Sequence, residues 1–119
     1  MKTTVSFFLL VLISFGCSKD SPSSLSPVII PVAKITYSNT VKAIIDNNCI
    51  SCHAAVPINF APMSLTTYEN VKEAIQNRGL INRISRDQGA SGMMPSGGTR
   101  LPQTSIDAIV KWQTDGLTQ

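Results

Sequence analysis

Cys49-Ile50-Ser51-Cys52-His53 is the stretch on which the reading of this chain turns. Two thiols separated by two residues are followed at once by an imidazole, and His53 is the only histidine among 119 residues. Four chemistries use paired cysteines at this spacing. A thioredoxin-like dithiol needs a strand–helix setting, whereas the residues before Cys49 have helical spacing. A zinc site takes four protein ligands, and no second Cys/His pair exists to complete one. A disulfide across two intervening residues is strained in most backbones. The fourth chemistry is covalent haem attachment. Two thiols so placed can add to the two vinyl groups on one edge of a haem, and the adjacent imidazole then lies under the iron as its axial ligand. The spacing favours this last reading. It makes Cys49 and Cys52 the thioether-forming residues, His53 the proximal iron ligand, and one covalent haem c the expected cofactor.

Length agrees with such a cofactor. A chain of 119 residues is at most one domain. Its first third is not globular in character, so the folded part is close to a minimal domain. Domains of that size bury little apolar surface and usually lean on a metal, a disulfide or a cofactor. The charge excludes one class of partner. Ten Lys and Arg against seven Asp and Glu give +3, falling to about +2 once a leader containing Lys2 is removed. The basic residues are scattered, without the cluster a nucleic-acid backbone requires. A mild positive face is compatible with steering of an acidic redox partner and equally with ordinary solvated charge. The three cysteines, odd in number, do not form a disulfide framework.

The N-terminus reads as an address. After Met1-Lys2, the run from Val5 to Ile13 is apolar and of signal-peptide length, short for a permanent span. It ends at Ser14-Phe15-Gly16-Cys17, and polarity begins at Ser18-Lys19-Asp20. Ile13 to Cys17 resembles a bacterial lipoprotein box, with Phe15 bulkier than the usual residue at its position. The resemblance implies cleavage after residue 16 and a lipid on Cys17. Residues 17–35 then form a tether. Ser21-Pro22-Ser23-Ser24-Leu25-Ser26-Pro27 has no helical or strand period, and extended backbone of this length reaches about 50 Å. Val28-Ile29-Ile30-Pro31-Val32 is more apolar and is suited to lie against the domain. These readings place the domain, residues 36–119, outside the cytoplasm, on the periplasmic or outer-membrane side.

Within the domain the periodicity is helical. Over Tyr37–Asn48, Val41, Ile44 and Ile45 make one apolar stripe, opposite Lys42, Asp46 and Asn47, with Ser38 as the expected N-cap. Asn47-Asn48 weakens the helix before Cys49. Residues 54–65 contain Pro57 and Pro62 and no clear period, which predicts a loop. Thr66 followed three residues later by Glu69 predicts a capping box. Val71, Ala74 and Ile75 predict a second helix, with Gly79 at its C-terminal cap. Leu80–Ile84 reads either as a short helix or as a strand. Residues 86–98, rich in glycine, form a loop. A last helix begins near Gln103 or Thr104, with Ile106, Ile109, Val110 and Gln113 on one face and Gly116 at its end. The expected fold is all-α, three to four helices packed around the haem.

The second axial ligand must come from elsewhere. Met93-Met94-Pro95 lies in the glycine-rich loop, and a thioether is a soft ligand that raises the reduction potential. Proline after Met94 stiffens the loop. The order helix, Cys-x-x-Cys-His, loop, helix, Met-Pro loop, closing helix resembles the class I c-type cytochrome domain, from about Tyr37 to Leu117. The stretch Met94-Pro95-Ser96-Gly97-Gly98, followed by Ile106, Ile109 and Trp112, is similar to bacterial members in which a Met-Pro loop precedes an Ile-rich helix with a tryptophan. The resemblance implies that Met94 is the distal iron ligand, with Met93 and Met63 as the alternatives. Met63 is otherwise a packing residue. Trp112 is expected to pack between the first and last helices or on the haem edge. Arg86 and Arg100 are candidates to pair with the haem propionates, against a default of solvated charge.

Two functions are open to such a chain. A haem closed on both sides by His53 and Met94 implies an electron carrier and not an enzyme, with other redox proteins as partners, a membrane reached through the lipid, and no small-molecule substrate. The alternative is a haem-based ligand sensor or small peroxidase, which needs an open distal position; no second histidine and no acidic residue next to Met94 supplies a distal acid or base. The anchor is tested by fractionation. Cys17→Ser should move the protein from the membrane to the soluble fraction, and a variant still held on the membrane would overturn the lipid assignment.

Overall fold

The computed structural model describes residues 33–119. The leader, Cys17 and all but the end of the tether lie outside the described residues. Four α-helices and no strand occur among the described residues: α1 (Lys42–Asn48), α2 (Tyr68–Asn77), α3 (Leu80–Ile84) and α4 (Gln103–Thr114). No helix among them is long and apolar enough to cross a membrane.

A π-helical turn, Tyr37–Val41, runs directly into α1. Its cap is Thr36 and not Ser38. Thr36 is extended, its hydroxyl accepts from Asn39 N at 3.2 Å, and the Asn39 carboxamide accepts from Thr36 N at 2.9 Å. The reciprocal box is closed by asparagine in place of the usual Glu or Gln, and a further bond from Asn39 Nδ2 to Lys34 O at 2.9 Å anchors the incoming chain. Ser38 lies exposed inside the turn.

The cap of α2 also differs from the pattern, lying one residue later than predicted. Thr67, extended, accepts from Asn70 N at 3.2 Å. The Thr66 hydroxyl is engaged with Ser64 at 2.9 Å, so the Thr66–Glu69 box does not form. Gly79, at φ +67°, follows the cap residue Arg78 and turns the chain into α3, which resolves Leu80–Ile84 as helix. The end of α4 is a Schellman motif: Gly116 N donates to Gln113 O at 3.2 Å and Leu117 N to Trp112 O at 2.9 Å. Gly116 sits at φ +93°, where a glycine has no Cβ to clash.

The helices enclose a single apolar core that includes Val41, Ile45, Val71, Ile106, Ile109 and Trp112. Each of these six is at most 2 % exposed. On α4 the buried face is Ile106, Ile109 and Trp112; Val110 is half-buried, and Gln113, expected on that face, is exposed. Positions 112 and 113 both stand within one turn of Ile109, and the apolar indole, held by its bond to Thr118 O, takes the buried place. Trp112 packs on Tyr37 and Tyr68, with ring centroids 6.0 and 6.1 Å apart, and Tyr37 and Tyr68 stand edge to face at 5.6 Å. Its indole donates to Thr118 O at 2.7 Å, Tyr37 N donates to the same carbonyl at 2.9 Å, and the Tyr68 hydroxyl donates to Leu117 O at 2.8 Å. Trp112 is therefore a bolt between the first turn, α2 and the last helix. Surface ion pairs such as Lys42–Asp46 and Lys111–Asp115 add little, since exposed pairs contribute about 0–1 kcal/mol.

Ile109→Ala should cost about 2–5 kcal/mol, a fall in Tm on the order of 10 °C or more for a domain this small. Gln113→Ala should stay within about 0.5 kcal/mol. Thermal unfolding followed by circular dichroism checks both.

Candidate functional site

Helix α1 ends where its sequence loosens it. The Asn48 carboxamide bonds back to Ile44 O at 2.7 Å, and Cys49 caps the helix with φ −121° and ψ −38°. The chain then curls into a turn: Cys52 N and His53 N both donate to Cys49 O, at 3.1 and 2.9 Å. One carbonyl thus gathers the two thiols and the imidazole onto a single turn. The loop that follows folds back over it. Ile58 N donates to Cys52 O and Leu65 N to His53 O, each at 2.9 Å.

His53 is oriented by this return. Its Nδ1 lies 2.7 Å from Met63 O. A carbonyl only accepts, so Nδ1 carries the proton, and in the neutral ring Nε2 is the nitrogen with a lone pair for a metal. Cys49 and Cys52 are both free thiols. Burial pushes the Cys49 thiol up to about 11. The Cys52 sulfur accepts a weak contact from Asn59 Nδ2 at 3.5 Å.

These side chains open onto one cavity of about 1000 Å³, at the upper end of the range for small-molecule sites. Cys49, Cys52, His53, Met63 and Met94 all line it. Met94 arrives from the loop between α3 and α4, where its N–H donates to Arg83 O at 3.1 Å. Met93 is buried at 5 % exposure and faces a smaller hollow inside that loop. Leu65, Ala74, Leu80, Ile84 and Leu101 supply apolar wall. No carboxylate among the described residues lines the cavity. No group of three or more His, Cys, Asp and Glu side chains converges among the described residues, so no zinc-type cluster is assembled there.

The arginines differ from expectation. Arg86 and Arg100 do not line the cavity; Arg86 is bonded to Asn82 and Ser91, and Arg100 to Arg86 O and Gln103. Arg78 and Arg83 line it instead. Sequence carried a faint signal for them: Arg78 caps α2 just before Gly79, and Arg83 stands four residues beyond that glycine on the short helix it launches. Trp112 is not in the cavity wall.

Comparison with protein-family models, with curated proteins and with solved structures returned no match.

The raised Cys49 value has a pH consequence. A group whose folded value lies above its ordinary 9.0 contributes stability below that pH and loses it as pH rises toward 11, because the unfolded chain gives up the proton first. In the thiol form of the chain, stability should therefore fall between about pH 9 and pH 11, and Cys49→Ala should flatten that fall. Denaturant midpoints measured across this range test it, and an unchanged slope in the variant would count against a buried Cys49 thiol.

Proposed function

We propose that this chain is a small c-type cytochrome: an extracytoplasmic, membrane-anchored carrier that holds one covalent haem c and passes single electrons between redox proteins. The observation that carries the reading is the convergence of Cys49, Cys52, His53 and Met94 on one large, mainly apolar cavity.

The residues fit the group. The two thiols share one turn with the imidazole, as attachment along one macrocycle edge requires. His53 presents Nε2 because Met63 O occupies the Nδ1 proton. Met94 offers a soft sulfur from a separate loop, and Met63 is the alternative donor in the same wall. Among the described residues, Arg78 and Arg83 are the cations that line this cavity and could meet haem carboxylates, Arg78 also standing 3.7 Å from Glu73. When bound, haem supplies an iron that alternates between the ferrous and ferric states.

The chain's own part is to fill and shield. His53 and Met94 together leave no coordination position for a substrate, which favours a carrier over a sensor or peroxidase. Leu65, Leu80, Ile84 and Leu101 exclude water, and a thioether ligand in an apolar wall favours the ferrous state. The loop that contributes Asn59 and Phe60 to the rim also exposes Val56 and Ile58, an apolar surface on which a redox partner can rest. Attachment to a membrane rests on Cys17 and the tether, read from sequence alone.

The ferric protein should show the long-wavelength sulfur-to-iron charge-transfer band, and Met94→Ala should abolish it while the haem stays covalently bound through denaturing electrophoresis. Cys49→Ser with Cys52→Ser should lose the covalent haem. A high-spin ferric spectrum in the wild type, with ready cyanide or carbon monoxide binding, would overturn the carrier reading in favour of an open distal site.

A further inference from the structure

The loop between α3 and α4 carries Met94, yet apolar packing holds little of it. Ser91, Gly92, Ser96, Gly97 and Gly98 are exposed, and the loop's buried residues are Met93 and, at its end, Leu101. Side-chain hydrogen bonds close it instead. Gln88 donates from Nε2 to Gly98 O at 3.1 Å, and its Oε1 accepts from Arg100 N at 2.6 Å. Arg100 donates from Nε to Arg86 O at 3.0 Å and from Nη2 to Gln103 Oε1 at 2.8 Å, tying the loop to the first residue of α4. The Arg86 guanidinium donates to Ser91 O and, at 2.8 Å, to Asn82 Oδ1 on α3. Gly92 makes room for it: a Cβ there would stand 2.5 Å from Arg86 Nη1.

We propose that Gln88, Arg86 and Arg100 are positioning residues that clasp this loop and hold Met94 against the cavity. The proposal rests on Met94 as the distal ligand. A loop so rich in glycine loses much conformational entropy on ordering, so its opening is a local event to which these side-chain bonds contribute beside the backbone bond from Met94 N to Arg83 O. Gln88 suits the part because one carboxamide offers both a donor and an acceptor, and here each meets a different point near the loop's end. Breaking the clasp raises the population in which Met94 has left the iron. An external ligand that competes with Met94 reports that population directly, since its apparent affinity scales with the competent fraction.

The experiment is an imidazole titration of the full chain carrying its covalent haem. Gln88→Ala, which removes two hydrogen bonds, should raise apparent imidazole affinity by roughly fivefold to thirtyfold. Gln88→Glu keeps the acceptor for Arg100 N and loses the bond to Gly98 O, and should give a smaller rise. Tyr68→Phe, which loses only the bond to Leu117, should lower thermal stability and leave imidazole affinity unchanged. Equal affinity in wild type and Gln88→Ala, or an equal rise in Gln88→Ala and Tyr68→Phe, would overturn the clasp. A wild type without the sulfur-to-iron band is a failure of Met94 ligation and not of the clasp. In that event amide hydrogen exchange across residues 87–101 decides: Gln88→Ala should speed it, and unchanged exchange overturns the proposal.

Discussion

The hydrogen bond between His53 Nδ1 and Met63 O joins the end of α1 to a point ten residues further along the chain. It sets the direction of the imidazole, its tautomer, and the path of the intervening loop at once. Leu65 N bonds back to His53 O two residues later, so the loop closes on the same residue that its carbonyl orients. The turn that carries His53 is half-buried, and this bond is what fixes the ring on it. With it, one ring nitrogen is committed to the backbone and the other faces the cavity.

A frame outside the cavity keeps that turn in register. The first turn, α2 and α4 meet at Tyr37, Tyr68 and Trp112, and the last residues are tied to them by bonds to Leu117 and Thr118. The core reaches the cavity as well, since Leu65, Ala74, Leu80, Ile84 and Leu101 belong to both. Two loops complete the cavity wall, one bearing Met63 and one bearing Met94. Packed aromatic and branched side chains give rigidity at little conformational choice, whereas the loops of the cavity wall are held largely by hydrogen bonds.

How much of this was legible depends on whether the deciding contact was local. The three longer helices were, because Val41 with Ile45, Val71 with Ala74 and Ile75, and Ile106 with Ile109 recur at helical spacing, whereas Leu80–Ile84 read equally as a strand. Their caps were not. Ser38 and Thr36 are both chemically fit to cap, as are Thr66 and Thr67, and the choice falls to which residue is extended where the incoming chain arrives. The asparagine that closes the Thr36 box lies outside the Glu/Gln pattern. Gln113 and Trp112 differ by one position on the same helix, and the tail that pins the indole selects between them.

The same division runs through the site. Sequence by itself determined the thiol pair, the single histidine and the Met-Pro loop, since these are facts of residue type and spacing. Tertiary structure decided that Met94 and Met63 line the same cavity as His53 while Met93 turns inward. It also decided that Arg78 and Arg83 line that cavity, Arg83 reaching Gly92 O of the loop as well, while Arg86 and Arg100 hold the loop without lining it. Four arginines are alike in a sequence. What separates them is the direction in which a short helix and a glycine-rich loop point each guanidinium, and that direction is set by the elements packed against them, not by the residues beside them in the chain.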